Sequence, residues 1–119
     1  MYHKVEMIGR LGKEPELKTL PSGMVCELSV ATDFFKNKER HTVWFRVMVW
    51  GDAGKAASES LHKGNLVFVE GRLDPDDTGN PRVFTRRSGE AGANFEILAS
   101  KILFLTPRDA ERGPRDEWF

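Results

Sequence analysis

Residues 42–51, TVWFRVMVWG, sort into two faces when the segment is extended. Side chains alternate sides with a period of two, so Val43, Phe45, Val47 and Val49 share one face while Trp44, Arg46, Met48 and Trp50 share the other. The first is an ordinary core face. The second sets two indoles, a guanidinium and a thioether along about 20 Å of chain at the usual strand rise. That combination suits planar, negatively charged ligands, because every base of a single-stranded nucleic acid has a π-face and every nucleotide carries a phosphate. A strand buried on both sides also turns Trp and Met inward, and large apolar stripes mark protein interfaces. The strand alone leaves these readings open.

A chain of 119 residues fits one domain with a single core that needs no disulfide or metal. Its one cysteine, Cys26, has no internal partner, which fits a reducing compartment, and its apolar neighbours suit a small core residue better than a nucleophile. No apolar run approaches membrane-spanning length, and the N-terminus enters a strand-like pattern without a signal segment, so a cytoplasmic protein is expected. The formal net charge is zero, which argues against a general polyanion binder. From Arg108 onward three arginines face four carboxylates, leaving the body at +1. Phosphate binding would therefore depend on local placement of cations.

Most of the chain reads as strands. Val5 to Leu11 is followed by a turn at residues 12–15; Glu16 to Leu20 ends at Pro21-Ser22-Gly23; Met24 to Phe35 is rich in strand formers, with Met24, Cys26, Leu28, Val30, Thr32 and Phe34 on one side. Lys36 to Arg40 reads as a solvated basic loop. Asp52 as N-cap, Ala53 to His62, and Gly64 as stop predict one short helix. Asn65 to Leu73 is the next strand. After the acidic turn Asp74 to Pro81, Arg82 to Arg87 and Ala93 to Leu105 predict a long hairpin joined through residues 88–92. Three strands, a short helix and two strands give the order of an all-β, five-stranded OB-fold Greek-key barrel over residues 1–107, with a charged tail at 108–119. Such barrels bind oligonucleotides, oligosaccharides and proteins alike.

Four ordered segments then carry a resemblance. HKVEMIGRLGKEPELKTLPSG, SVATDFF, TVWFRVMVWG and AASESLHKGNLVFVEGRL resemble, at matching spacings, the first strand and turn, second strand, third strand, and helix with fourth strand of bacterial single-stranded DNA-binding proteins, from about Tyr2 to Leu105. The resemblance implies that Trp44, Trp50 and Phe84 stack on bases. A fourth aromatic position falls in register on Lys36, where Phe34 or Phe35 would substitute; parity with Val30 favours Phe34. Stacking contributes on the order of 1–3 kcal/mol per base without reading sequence. Arg46, between the indoles, heads the candidate phosphate contacts, followed by Arg86 and Arg87, with Lys36, Lys38, Arg40, Arg72 and Arg82 beside them. Asp74, Asp76 and Asp77 would repel phosphate and are expected to point away.

The chain departs from the family at Phe45, where His is usual and where subunit contacts are made. It also ends without a long linker, yet retains an acidic, aromatic tip, Asp116, Glu117, Trp118 and Phe119, chemically suited to a basic pocket with an apolar floor on a replication or repair protein. The alternative for the tip is packing of Trp118 and Phe119 on their own barrel.

Enzymatic readings find no support. His3, His41 and His62 have no metal-ligand spacing with Cys26, no Gly-rich phosphate loop precedes a helix, and no carboxylate pair suggests acid–base chemistry. No cofactor or metal is expected. The resemblance implies a sequence-tolerant binder of single-stranded DNA in replication, recombination and repair, nucleoid-associated in the cytoplasm, and a homo-oligomer with a tetramer favoured. Two other classes stay open: an adaptor of the replication machinery that turns this face to protein, and a single-stranded RNA-binding barrel, since the 2′-hydroxyl is the discriminating group.

Overall fold

The structure, a computed structural model, describes residues 1–106; the tail expected at 108–119, with its tip, lies outside the described residues. In chain order the elements are β1 (Val5–Leu11), β2 (Glu16–Leu20), β3 (Gly23–Lys36), β4 (Glu39–Trp50), α1 (Gly51–Ser60), β5 (Leu66–Leu73), β6 (Val83–Thr85), β7 (Ala91–Ala93) and β8 (Phe95–Phe104). β1 pairs along β5, from Val5↔Gly71 to Arg10↔Leu66, and its end also pairs with β3 through Arg10↔Ala31 and Leu11↔Val30. That second pairing closes β1, β3, β4, β8 and β5 into a ring of five strands, with β2 attached outside it to β3. β4 and β8 run parallel, and the other neighbours in the ring run antiparallel. This is the expected OB-fold barrel.

The barrel fills with the inward members of each alternating strand. Cys26, Leu28 and Val30 from β3, Val47 and Val49 from β4, Val67 and Val69 from β5, and Ile97 from β8 form one buried cluster. Phe45 packs on this cluster from one end and meets the ring of Phe95 at a centroid distance of 5.9 Å. The apolar face of β4 foreseen from its period is therefore the core face.

Three local expectations change. Asn37 and Lys38 both take positive φ, 54° and 64°, making the two-residue turn whose twist matches the strands it joins. Lys36 and Glu39 consequently pair across it, so the basic loop expected at 36–40 is mostly strand. The helix begins earlier than Asp52 implied: Trp50 is the N-cap and makes no side-chain capping bond, while Asp52 sits in the first turn, where its charge favours the helix dipole. It also stops earlier, at Ser60, with the Leu61 N–H bonded to the Ala57 carbonyl at 2.9 Å; Gly64 instead turns the chain into β5 and donates its N–H to Leu11. Last, the long hairpin is divided. β6 and β7 pair with each other in a separate two-stranded sheet, and β8 joins the barrel only from Phe95.

No helix among the described residues is long and apolar enough to cross a membrane. Cys26 is fully buried, and burial is the main cause that pushes its thiol up to about 11, so the reactive thiolate is scarce at ordinary pH. Ellman's reagent at pH ~8 is expected to leave the folded protein unmodified and to label it rapidly in denaturant. Rapid labelling of the folded chain would contradict the burial of Cys26.

Candidate nucleic-acid interface

Side chains paired across neighbouring strands project to the same side of the sheet, so the register lays out the outer face of the barrel row by row. Ala31 and Trp44 form one row; Ser29, Arg46 and Glu96 the next; Glu27, Met48, Leu98 and Arg72 the third; Val25 and Trp50 the last. Trp44 and Trp50 thus stand at two ends of one outer face, 53% and 39% exposed. Trp44 is held from below by bare backbone: a Cβ added to Gly12 would lie 2.4 Å from its ring.

Phe84 stands on β6, in the separate two-stranded sheet, and is 40% exposed. It pairs with Gly92 of β7, where a Cβ would lie 2.7 Å from the ring, and the guanidinium of Arg86 sits 5.2 Å from its centroid. Arg86 therefore covers one face of Phe84 as a cation over a ring. On the β3–β4 hairpin the register reverses the preference between the two phenylalanines. Phe35 shares the side of Ala31 and Trp44 and is 74% exposed, whereas Phe34 pairs with His41 on the opposite side and stacks on its imidazole at 5.2 Å.

The charges on this face are mostly spoken for. Arg46 donates from Nη2 to Glu27 Oε1 at 2.8 Å and lies 3.5 Å, through Nη1, from Glu96 Oε2. Lys18 donates to the same Glu27 oxygen at 3.1 Å. On the other side Arg82 Nε stands 3.8 Å from Glu96 and its Nη2 3.6 Å from Asp74. Lys18, Glu27, Arg46, Glu96, Arg82 and Asp74 alternate in sign and cancel. Burial pushes the Glu27 carboxyl up, but the bonds from Arg46 and Lys18 outweigh it and hold the group below the ordinary glutamate range. Arg46 is raised in turn, chiefly by its bond to Glu27.

The predicted cations therefore divide. Arg46 and Arg82 belong to this neutral chain, and Arg40 is paired with Asp33, to which its Nε donates at 3.0 Å. Lys36 and Lys38 at the hairpin turn, Arg72 beside Leu98, and Arg86 and Arg87 past Phe84 make no ion pair among the described residues. Asp74 does not point away from the site as expected: two residues beyond Arg72, it lies at the edge of the same face, compensated by Arg82. Asp76 turns into its own loop, where Oδ1 accepts from the Thr78 and Asn80 N–H groups, each at 2.9 Å. The residues that the sequence reading missed are Glu27 and Glu96. A charge inside the apolar run Val25-Cys26-Glu27-Leu28 was the available signal, but only the pairing of β3, β4 and β8 reveals its partner.

The histidines remain apart, with His3 accepting from the Leu73 N–H, His41 against Phe34 and His62 on Glu14. Among the described residues no three His, Cys, Asp or Glu side chains gather as a metal site. Asp116, Glu117, Trp118 and Phe119 lie outside the described residues.

Removing Arg46 would leave Glu27 and Glu96, whose side chains are 11% and 8% exposed, short of a partner. Arg46→Ala is expected to lower stability by about 2 kcal/mol, less than for a fully buried pair because Arg46 itself is about one-third exposed. Since the folded Glu27 pKa is depressed, its contribution is present above the ordinary carboxylate range and is lost as pH falls through the lowered value. Urea unfolding of wild type and variant should therefore converge at acid pH. A deficit independent of pH would mean that packing of the Arg46 stem, rather than its charge, is what matters.

Comparison with known proteins bears on what this face does. A model of the single-strand binding protein family matches residues 2–105. The single-stranded DNA-binding proteins of Neisseria meningitidis serogroup A (strain Z2491) and serogroup B (strain MC58) are each 31% identical over 117 residues, covering 93% of this chain and 64% of theirs. The chain thus spans somewhat under two thirds of the length of those relatives. The crystal structure of a small single-stranded DNA-binding protein from Streptomyces coelicolor is similar at a TM-score of 0.67 and 25% identity, covering 93% of this chain and 97% of that one. By a match that runs across the whole barrel, the chain belongs to the single-strand binding protein family.

Proposed function

We propose that this protein binds single-stranded DNA with little regard to sequence and protects it during replication, recombination and repair. The observation that carries the reading is the outer face of β3, β4 and β8, on which Trp44 and Trp50 are half exposed at opposite ends. In this reading Phe84 and Phe35 add further stacking rings, and Lys36, Lys38, Arg72, Arg86 and Arg87 are the cations that meet phosphate. Bases stack on the rings while these cations displace counterions from phosphate. It is a binding protein rather than an enzyme, and its setting is the nucleoid in the cytoplasm. Partner recruitment through Asp116, Glu117, Trp118 and Phe119 belongs to the same proposal, as does self-association.

For self-association the supporting feature is a second outer face, where Ile8, Phe68 and Leu103 line up across β1, β5 and β8. Ile8 and Leu103 are 56% and 45% exposed, and the ion pairs of Lys4 with Glu6 and Glu70 border them. An apolar row with a charged rim is what a second copy of the chain would cover. A homotetramer is the favoured state, and Ile8→Glu is expected to reduce the mass seen by light scattering; an unchanged mass would remove this face from the assembly.

Binding is tested by quenching of tryptophan fluorescence in a Trp118→Phe background, which silences the tail. Oligo-dT is expected to quench strongly, duplex DNA weakly, and Trp44→Ala or Phe84→Ala to cost on the order of 1–3 kcal/mol each. If these five cations, Lys36, Lys38, Arg72, Arg86 and Arg87, all engage, the logarithm of affinity should fall with the logarithm of salt at a slope of roughly −3.5. No quenching with oligo-dT would defeat the stacking model, equal affinity for duplex would leave only electrostatics, and preference for oligo-rU would turn the reading to RNA.

A further inference from the structure

Beside Trp44 the outer face opens into a pocket of about 270 Å³, whose lining includes Lys13, Glu27, Ser29, Arg46 and Asn94 along with the rings of Trp44 and Phe45. It falls just short of the roughly 300 Å³ at which pockets for drug-sized ligands begin, a size that suits a single nucleobase. We propose that this pocket reads one base of the bound strand through the carboxylate of Glu27, favouring a base that offers an exocyclic amine over one that offers a carbonyl. The inference rests on the single-stranded DNA reading above and narrows it. A face that is tolerant of sequence elsewhere has one position per subunit with a preference.

The reason lies in how Glu27 is satisfied. Lys18 and Arg46 both donate to Oε1, and no side-chain donor among the described residues meets Oε2. Yet the described residues contain no buried side-chain oxygen or nitrogen lacking a partner, so Oε2 is not sealed from solvent, and Glu27 lines the pocket. An ionised carboxylate only accepts hydrogen bonds. The lowered pKa of Glu27 keeps it ionised at neutral pH. Cytosine N4 is a donor of the kind that Glu and Asp accept from, whereas uracil and thymine carry an oxygen at the same ring position and would meet the carboxylate lone pair to lone pair. Lys13, Ser29 and Asn94 supply donors on the remaining wall for the acceptor edge of the same base. Trp44, seated on the Gly12 backbone, fixes the plane in which that base stacks.

The test compares oligo-dC with oligo-dU of equal length, which differ only in the amine or carbonyl and the adjoining ring nitrogen. Anisotropy of labelled oligomers with the full chain at neutral pH is expected to show dC bound on the order of tenfold more tightly than dU. In Glu27→Gln the two should become nearly equal, because an amide presents donor and acceptor alike. Because that change also disturbs Arg46, a second measurement leaves the protein intact: oligomers of N4,N4-dimethylcytosine, which lack the amine hydrogens, should bind wild type like dU. Dimethylated oligomers that bind like dC, or a dC-to-dU ratio that survives Glu27→Gln, would overturn the proposal while leaving strand binding in place. Failure of wild type to bind any of these oligomers would overturn both readings together.

Discussion

The short pairing of β1 with β3 is the constraint on which the binding face depends. Arg10↔Ala31 and Leu11↔Val30 close the ring, and closure decides which side of every strand is inside. With Val30, Val47 and Ile97 turned into the barrel, their neighbours Ser29, Arg46 and Glu96 must line up outside in one row. A slip of one residue between β3 and β4 would bury Arg46 and expose Val47, at a cost the core could not meet. The same registry that fills the core therefore spaces the indoles, and no separate device is needed to hold them apart.

That registry also brings two carboxylates onto a face for which a polyanionic ligand is proposed. Their effect is to fix Arg46 rather than to free it. A guanidinium bonded to Glu27 and close to Glu96 is positioned as a planar surface between Trp44 and Trp50, but its charge is already cancelled. In the proposed complex, phosphates would gain little by descending to this floor and more from Lys36, Lys38, Arg72, Arg86 and Arg87. Bases, which carry no net charge, do not depend on that charge. The neutral centre and those cations would thus favour one orientation of the strand, with bases inward and backbone outward. The zero net charge of the chain, which argued against a bulk polyanion binder, is consistent with affinity that comes from placement.

What the sequence made legible was whatever depends on local period. The two faces of β4, the order of strands around one helix, and the apolar stripes of β3 and β5 all follow from alternation within a single segment. Phe84 came from the family resemblance rather than from period. Less legible were features set by pairing between segments. Phe34 and Phe35 differ by one residue, and only the two-residue turn at Asn37-Lys38 fixes which of them shares a side with Trp44. The partners of Arg46 lie 19 residues before it on β3, at Glu27, and far beyond it on β8, at Glu96. Asp52 misled because its type suits an N-cap, while the left-handed turn at Gly51, φ 72°, starts the helix two residues sooner.

The cancelled charges bear on how the proposed binding of a strand could be reversed. Phosphate contacts gain most of their free energy from counterion release, so their contribution varies with salt, whereas stacking contributes on the order of 1–3 kcal/mol per base with far less dependence on it. By tying Arg46 to Glu27 and Arg82 to Asp74 and Glu96, the fold moves part of the affinity from the first kind of contact to the second. Trp44 rests on Gly12 and Phe84 on Gly92, so in the proposed complex each ring has its own support. Attachment through several independent, moderate contacts lets a strand peel away one nucleotide at a time, which a face of uncancelled arginines would resist.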